Sequence, residues 1–455
     1  MSESVSPPRR SSPEVSGLFT DLYQLTMAQA YLREGMNRRA SFEVFFREMP
    51  AARRYAIAAG LGEVLRQLTE WRFGDADIRF LERRGGFSAE FLRALAAVRF
   101  TGDVDAVAEG TPVFPQEPLL RVTAPIFEAQ LLETLILNQI HFQTLVATKA
   151  ARVVHAAAGR LAVDFGTRRA HGTDAALKAA RSCYLVGMAG TSNVLAGALY
   201  GIPLFGTMAH SYIQAHRCEA EAFRAFASAN PETTLLVDTY DTLEGVRRVI
   251  ALRDEMRERF TVRAIRLDSG DLAALARESR RMLDAAGLGS VRIFASGGLN
   301  EYKVARLVAA GAPIDGFGIG TSLVISDDAP SLDMAYKLVE FDGQPSFKLS
   351  AEKSFYPGRK QVWRVLREGV LSHDLLAGED EGGEGEPLLQ PVMREGRVLD
   401  SGLLQMEAVR REAVKRIATI PEALNDLGPR PDEFPVRIGE RLCESLKRLS
   451  VNAGR

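Results

Sequence analysis

Five short apolar runs recur through the middle of the chain: LAVDF (161–165), TLLVDT (234–239), AIRLDS (264–269), VRIFAS (291–296) and IDGFGIG (314–320). YLVGM (184–188) and IPLFG (202–206) have the same texture. Each is the length of a strand and too short for a core helix. Between most of them lie helical stretches, among them DAALKAARS (174–182), TLEGVRRVIALRDEMRERF (242–260), DLAALARESRRMLDAAG (271–287) and NEYKVARLVAA (300–310). Strand, helix, strand at a spacing of about 20–30 residues predicts a parallel sheet, because parallel neighbours need a crossover. Some seven such units predict an irregular TIM-like (β/α) barrel, so the fold class is α/β; an open doubly wound sheet is the rival reading.

Outward from this core the texture changes. TDLYQLTMAQAYLREG (20–35) reads as a helix capped by Thr20 or Asp21 and ended by Gly35, and ASFEVFFREMP (40–50) alternates as a strand does. Residues 54–98 and 126–158 are helical in pattern, whereas 102–125, dense in Val, Pro and Gly, predicts several short strands. The expected organisation is a disordered tail over 1–17, an N-terminal α+β domain over 18–158, and the barrel over 159–333. Strands of 334–370 are expected to return to the first domain. Residues 371–455 are expected to form a helical C-terminal region with a mobile acidic loop, GEDEGGEGEP (378–387), and a turn at GPRPDEFP (428–435).

Composition narrows the function classes. With 455 residues, at roughly 150 per domain, about three domains are expected. Lys+Arg number 57 against 58 Asp+Glu, a balance that excludes a protein built to neutralise nucleic-acid phosphates. Three scattered cysteines with no C-x-x-C point to a reduced, cytoplasmic protein. No run approaches the ~18 apolar residues of a membrane span, and the Ser/Pro/Arg-rich start has no signal-peptide core. No His/Cys/Asp group has metal-ligand spacing, and no G-x-S-x-G elbow supports a hydrolase triad.

Polar and Gly-rich residues gather immediately after five of the strands: GTRRAHGTD, TMAHS, SGDL, SGGLN and GTS. In a βα barrel that rim is where active sites are built. SGGLN (296–300) and GFGIGTS (316–322) lie on the last two strands, where Gly-rich turns before helices bring backbone N–H groups to phosphate; tight turns alone are the plainer reading. Arg168 and Arg169 beside Phe165 suit a carboxylate or phosphate, or form a solvated basic loop. Asp268 and Asp271 flank a Ser-Gly turn and would orient a ribose or a substrate-held Mg²⁺, or cap the next helix. Among six histidines, His210 alone follows a strand end and opens a helix.

The motifs TDLYQLTMA (20–28), VDFGTRRAHG (163–172), GTSNVLAG (190–197), GTMAHS (206–211), RLDSGDL (266–272) and GFGIGTS (316–322), with FDGQPSFKLSAEK (341–353) after them, occur in an order that resembles the nicotinate phosphoribosyltransferase family over about residues 18–365. The resemblance implies an enzyme that joins nicotinate to phosphoribosyl pyrophosphate, releasing pyrophosphate and forming nicotinate mononucleotide for NAD synthesis. It implies Mg²⁺ on the substrate, ATP as a co-substrate, a cytoplasmic homodimer, and a phosphohistidine at His210. By motif, Phe165 stacks on the pyridine ring and Tyr23 closes its other face, with Arg168 and Thr207 near the base. Arg266, Asp268 and Ser269 serve the carboxylate or ribose side, and Gly297, Gly298, Gly320 and Thr321 hold the 5′-phosphate. Nicotinamide-using relatives carry Asp where this chain has Ser192 and lack the second arginine, Arg169, which favours the acid as substrate. His171 departs from the family pattern, where a neutral residue such as Gln is expected. A nicotinamide or quinolinate phosphoribosyltransferase, or a non-catalytic barrel that senses phosphoribosyl ligands, are the alternatives.

Overall fold

A computed structural model describes residues 16–348, 355–428 and 433–453, and the described chain falls into two compact units, one of residues 149–328 and one of the remainder on either side. All but the last two residues of the expected tail lie outside the described residues, as do 349–353 of the FDGQPSFKLSAEK stretch and 429–432 of the expected turn.

The unit of residues 149–328 is built on six strands: β1 (Leu161–Asp164), β2 (Gly190–Thr191), β3 (Thr234–Leu236), β4 (Ala264–Leu267), β5 (Arg292–Ala295) and β6 (Gly316–Ile319). All pair in parallel, in the order β2-β1-β6-β5-β4-β3. The first strand pairs with the last, Gly316 to Ile319 lying opposite Leu161 to Asp164, so the sheet curls and does not take the expected rival's open doubly wound order. Between β2 and β3 the described pairings leave a seam, narrowed by one bridge from Thr191 to Leu204. The strands are nearly continuous in burial, as parallel strands covered on both faces must be.

Two of the seven expected strands are corrected. YLVGM is the end of helix Thr173–Leu185, whose residues from Ala176 onward are all buried; a helix covered on every side reads as an apolar run. IPLFG contributes only the Leu204 bridge, since Pro203 has no N–H for a ladder. Asp or Asn caps open the helices after four strands: Asn193 accepts from Ala196 N, Asp241 from Glu244 N, Asp271 from Ala273 and Ala274 N, and Asn300 from Lys303 N. Asp271 is thereby the cap that the plainer reading allowed.

In the other unit a seven-stranded sheet pairs Arg39–Phe46 with Leu120–Pro125 on one side and Met334–Phe341 on the other, both antiparallel. Phe42, Val44 and Phe46 of strand Arg39–Phe46 join a core with Leu61, Val64, Leu65 and Leu68 of helix Leu61–Glu70. The expected helical character of 371–455 is corrected for its first part: Lys360–Arg367 and Val370–Gly378 form an antiparallel hairpin, and Gln390–Arg394 joins the seven-stranded sheet. VLSHDLLAG is a strand by its ladder to Lys360–Arg367, with Asp374 and Leu376 buried on one face and a register shift beside Leu371 that breaks the alternation. Helices Met406–Ile417 and Glu440–Ala453 follow. The acidic loop is tied down, against expectation: Glu379 pairs with Arg121 and Arg359, and Glu381 accepts from the backbone N–H groups of Gly378 and Arg441.

Candidate active site

Six parallel strands deliver the residues that follow them to one edge. There stand Phe165, Ser192, Asp238 with Thr239, Asp268, Ser296 and Gly320. Backbone bonds fix their level: Phe165 N–H donates to the Ile319 carbonyl (2.8 Å), Ser192 N–H to Asp164 (2.9 Å) and Ser296 N–H to Leu267 (2.8 Å).

Arg266, on β4, is the hub. Its Nη1 donates to Thr207 Oγ1 (2.9 Å), its Nε to Ser296 Oγ (2.8 Å) and its Nη2 to Asp268 Oδ1 (2.7 Å). Ser296 Oγ donates to the same Asp268 oxygen, and the guanidinium carbon sits 5.7 Å from the centre of the Phe165 ring. Planar, always charged and held by three partners, Arg266 is pre-oriented toward an anionic or aromatic ligand. Burial pushes the Asp268 carboxyl up, but the bonds from Ser296 and Arg266 and the charges of Arg266 and His210 outweigh it, leaving the group below its ordinary value. Asp268 therefore stays ionised at neutral pH.

His210 opens helix His210–Gln214, and its Nδ1 is 3.1 Å from Thr239 Oγ1. Asp238 braces the Asp268–Ser269 turn: its Oδ2 accepts from Asp268 N–H (2.9 Å) and Ser269 Oγ (2.6 Å), while its buried Oδ1 has no hydrogen-bond partner. Gly297, at φ +88, presses against the Asp268 carbonyl so closely that a Cβ would lie 1.7 Å from that oxygen. Gly318 lies beneath the Phe165 ring, 2.5 Å from where its own Cβ would be, and the ring also tilts on Phe294 at 5.8 Å. Gly320 backs onto the Phe165 carbonyl and leads into helix Thr321–Val324. Gly298 precedes helix Glu301–Ala309, its carbonyl held by Lys303 Nζ (2.7 Å).

Thus Phe165, Thr207, His210, Arg266, Asp268, Ser269 and Gly297 are joined by direct contacts or through Asp238 and Thr239, and Gly320 backs onto Phe165. Arg168 and Arg169 are exposed on the turn Thr167–Arg169 and, among the described residues, make no ion pair or hydrogen bond to this cluster. Tyr23 belongs to the other unit, where its hydroxyl donates to Glu133 Oε2 (3.2 Å); burial and then the Glu133 charge push it up to about 12. Three residues of the cluster were not singled out from the sequence: Asp238, Thr239 and Ser296. The first two close the run TLLVDT as Asp268 and Ser269 close AIRLDS, and that parallel is the signal that finds them.

Among the described residues no group of three or more His, Cys, Asp or Glu is arranged to hold a metal ion. The spare Oδ1 of Asp238 and the ionised Asp268 fit an ion carried mainly by substrate phosphates, for which one or two protein carboxylates suffice. No helix among the described residues is long and apolar enough to cross a membrane.

Residues 18–141 match the family model for the nicotinate phosphoribosyltransferase (NAPRTase) N-terminal domain, and 161–355 match that of the nicotinate phosphoribosyltransferase (NAPRTase) family. The chain is 54% identical over 435 residues to nicotinate phosphoribosyltransferase pncB2 of Mycobacterium tuberculosis, covering 96% of this chain and 94% of that one. It is 44% identical over 359 residues to nicotinate phosphoribosyltransferase of Bacillus subtilis, covering 77% and 73%. The crystal structure of human nicotinic acid phosphoribosyltransferase superposes with a TM-score of 0.83 at 31% identity, over 95% of this chain and 99% of that one. Sequence and fold agree, and the chain belongs to the nicotinate phosphoribosyltransferase family.

Proposed function

We propose that this chain transfers the phosphoribosyl group of phosphoribosyl pyrophosphate to nicotinate. The pyridine nitrogen attacks C1 of the ribose, the bond from C1 to the pyrophosphate oxygen breaks, and nicotinate mononucleotide and pyrophosphate leave. The observation that carries this reading is the Arg266 hub: a fixed guanidinium over the edge of Phe165, bonded to an ionised Asp268, at the strand edge where the Gly-rich loops converge. A flat aromatic acid against Phe165 meets Arg266 with its charge, and the positive charge that develops at C1 is offset by Asp268. Gly297, Gly298, Gly320 and Thr321 receive the 5′-phosphate through backbone N–H groups, and Arg168 and Arg169, free of other partners among the described residues, are available to the substrates' anionic groups. Asp238 and Asp268, with the donor's phosphates, would hold Mg²⁺, whose charge would offset that of the departing pyrophosphate.

ATP enters through His210. With Nδ1–H donating to Thr239, Nε2 keeps its lone pair; it attacks the γ-phosphorus, the bond to the ADP oxygen breaks, and water later releases the phosphate. The rest of the proposal is a barrel that closes across the β2–β3 seam, a homodimer in which the half-exposed Tyr23 ring completes a site, and a cytoplasmic setting, for which the three free cysteines speak.

Incubation with phosphoribosyl pyrophosphate, Mg²⁺ and ATP against nicotinate, nicotinamide and quinolinate in parallel tests the reaction. Turnover of nicotinate is expected; product from nicotinamide alone or from quinolinate with loss of CO₂ reassigns the base, and donor binding without any product refutes catalysis. His210→Ala is expected to abolish stimulation by ATP and retain ATP-independent transfer; full stimulation in that variant removes His210 from the ATP step.

A further inference from the structure

The unit of residues 149–328 buries a charged cluster that the proposed chemistry does not use. Lys149 Nζ lies 2.8 Å from Glu301 Oε2, 2.7 Å from Asp327 Oδ1 and 2.9 Å from Asp328 Oδ1, and its side chain is 1% exposed. Arg152, one turn further along the same helix, approaches Glu301 Oε1 at 3.3 Å and donates to the Tyr302 hydroxyl at 3.0 Å. Burial alone would push the Lys149 ammonium down, but the charge of Glu301 and the bonds to Asp327, Glu301 and Asp328 hold it above its ordinary value.

A buried ion cluster is a weak device for stability, since apolar side chains of similar volume often serve as well; its better-attested use is to fix register. The register here is that of two loops. Glu301 is the first residue of the helix after the 296–300 loop. Asp327 and Asp328 follow helix Thr321–Val324, which Gly320 opens, and the chain reaches them through Ser326, whose φ of 49° is a conformation that side chains other than glycine seldom adopt. Ser322 Oγ also donates to the Leu299 carbonyl at 2.7 Å, bonding one loop to the other directly. These loops carry the four residues given above to the 5′-phosphate.

We propose that Lys149 is a positioning residue for phosphoribosyl pyrophosphate: its ammonium, shared by Glu301 after the 296–300 loop and by Asp327 and Asp328 after helix Thr321–Val324, sets the spacing of the two Gly-rich loops so that backbone N–H groups from each converge on one phosphate. The proposal rests on the phosphate reading of those loops. Lys149→Met is expected to raise KM for the donor at least tenfold, with KM for nicotinate and kcat within threefold of wild type. In the ligand-free variant the amides of 297–298 and 320–322 should exchange with solvent at least tenfold faster, and Lys149→Arg should recover most of both effects. A folded Lys149→Met protein with unchanged donor KM and unchanged exchange overturns the proposal, as does an equal rise in both KM values. Should that variant fail to fold, Asp327→Asn decides, because its partly exposed side chain leaves Glu301 and Asp328 on the ammonium: a donor KM raised threefold or more supports the proposal and an unchanged one overturns it. Thr321→Pro, which removes the Thr321 backbone N–H at the first helical position, where proline is tolerated, separates the two readings when measured alongside. If it leaves donor KM unchanged, the phosphate assignment fails; if it weakens donor binding and the Lys149 variants do not, the positioning role fails alone.

Discussion

Gly297 is the position where a single methyl group should do most damage. Its φ is +88°, and an ideal Cβ there would lie 1.7 Å from the Asp268 carbonyl oxygen and 2.7 Å from the carbonyl carbon. Contacts of this kind rarely fall under 3.0 Å, so Gly297→Ala must open the approach by about 1.3 Å. Both sides of the gap are backbone, and neither can turn away as a side chain would. Asp268 is the residue that moves, and it holds Arg266 and Ser296. A displacement of about 1 Å in a positioned catalytic group costs on the order of a hundredfold in rate, or about 2.7 kcal/mol of transition-state stabilisation. The left-handed conformation adds about 1 kcal/mol of stability lost. Gly287 supplies the control. It too has a left-handed φ, +71°, but it follows helix Leu272–Ala285 and a Cβ there would meet nothing within 4 Å. Gly287→Ala should therefore lose about 1 kcal/mol in an unfolding titration and little activity. The assay is kcat/KM for nicotinate at saturating phosphoribosyl pyrophosphate, with thermal unfolding to verify that both variants are folded. Activity of Gly297→Ala within threefold of Gly287→Ala would refute the idea that the Gly297–Asp268 contact sets the site.

Two further outcomes follow from the same geometry. Gly318→Ala places a Cβ 2.5 Å from the Phe165 ring and 3.1 Å from Phe294, and overpacking of this kind costs about 1–3 kcal/mol; with Phe165 proposed as the surface for the base, nicotinate KM should rise about tenfold while donor KM changes less, and equal changes in both would refute the stacking role. Asp268, held below its ordinary 3.8, contributes stability that is fully present above that value and is lost as the pH falls through the lower, folded-state value. Urea unfolding of wild type and Asp268→Asn should thus differ at pH 7 and converge below about pH 4; a gap that stays constant across that range would mean the carboxylate is not the group being stabilised.

What could be read from the sequence follows from how each contact is encoded. Strands β1 and β3 to β6 were legible because a parallel strand is covered on both faces and so appears as an unbroken apolar run. The same signature misled at YLVGM, because the helix Thr173–Leu185 is also covered all round; only its phase with Ala176 and Ala180, four residues apart, separates the two cases. In the C-terminal region, strands such as Gln390–Arg394, of which only Val392 and Met393 are buried, carry a signal too short and too mixed in polarity to stand out beside amphipathic helices.

The site divides along a different line. Phe165, Arg266 and Asp268 could be found because the chemistry-bearing residue sits within one or two positions of a strand end, and parallel pairing then does the work of bringing the ends together. The reach of that rule ends where the partner lies on another element. Asp271 has the same residue type and nearly the same loop as Asp268, yet it caps the next helix, while Asp268 bonds Arg266. Two positions on a strand bring a side chain back to the same face, as for Arg266 and Asp268, and three more carry it past the turn into the helix cap. Lys149 marks the opposite limit. Nothing within its own helix distinguishes it from a solvated lysine, since Asp327 and Asp328 are 178 and 179 residues away and Glu301 lies at the start of another helix. Its burial is a product of loop closure around β5 and β6, so its role can be inferred only after those loops are placed. A residue of that kind should be more sensitive to the conformation of the two loops than to the chemistry of the reaction, which is why amide exchange without substrate, and not turnover alone, is the measurement that bears on it.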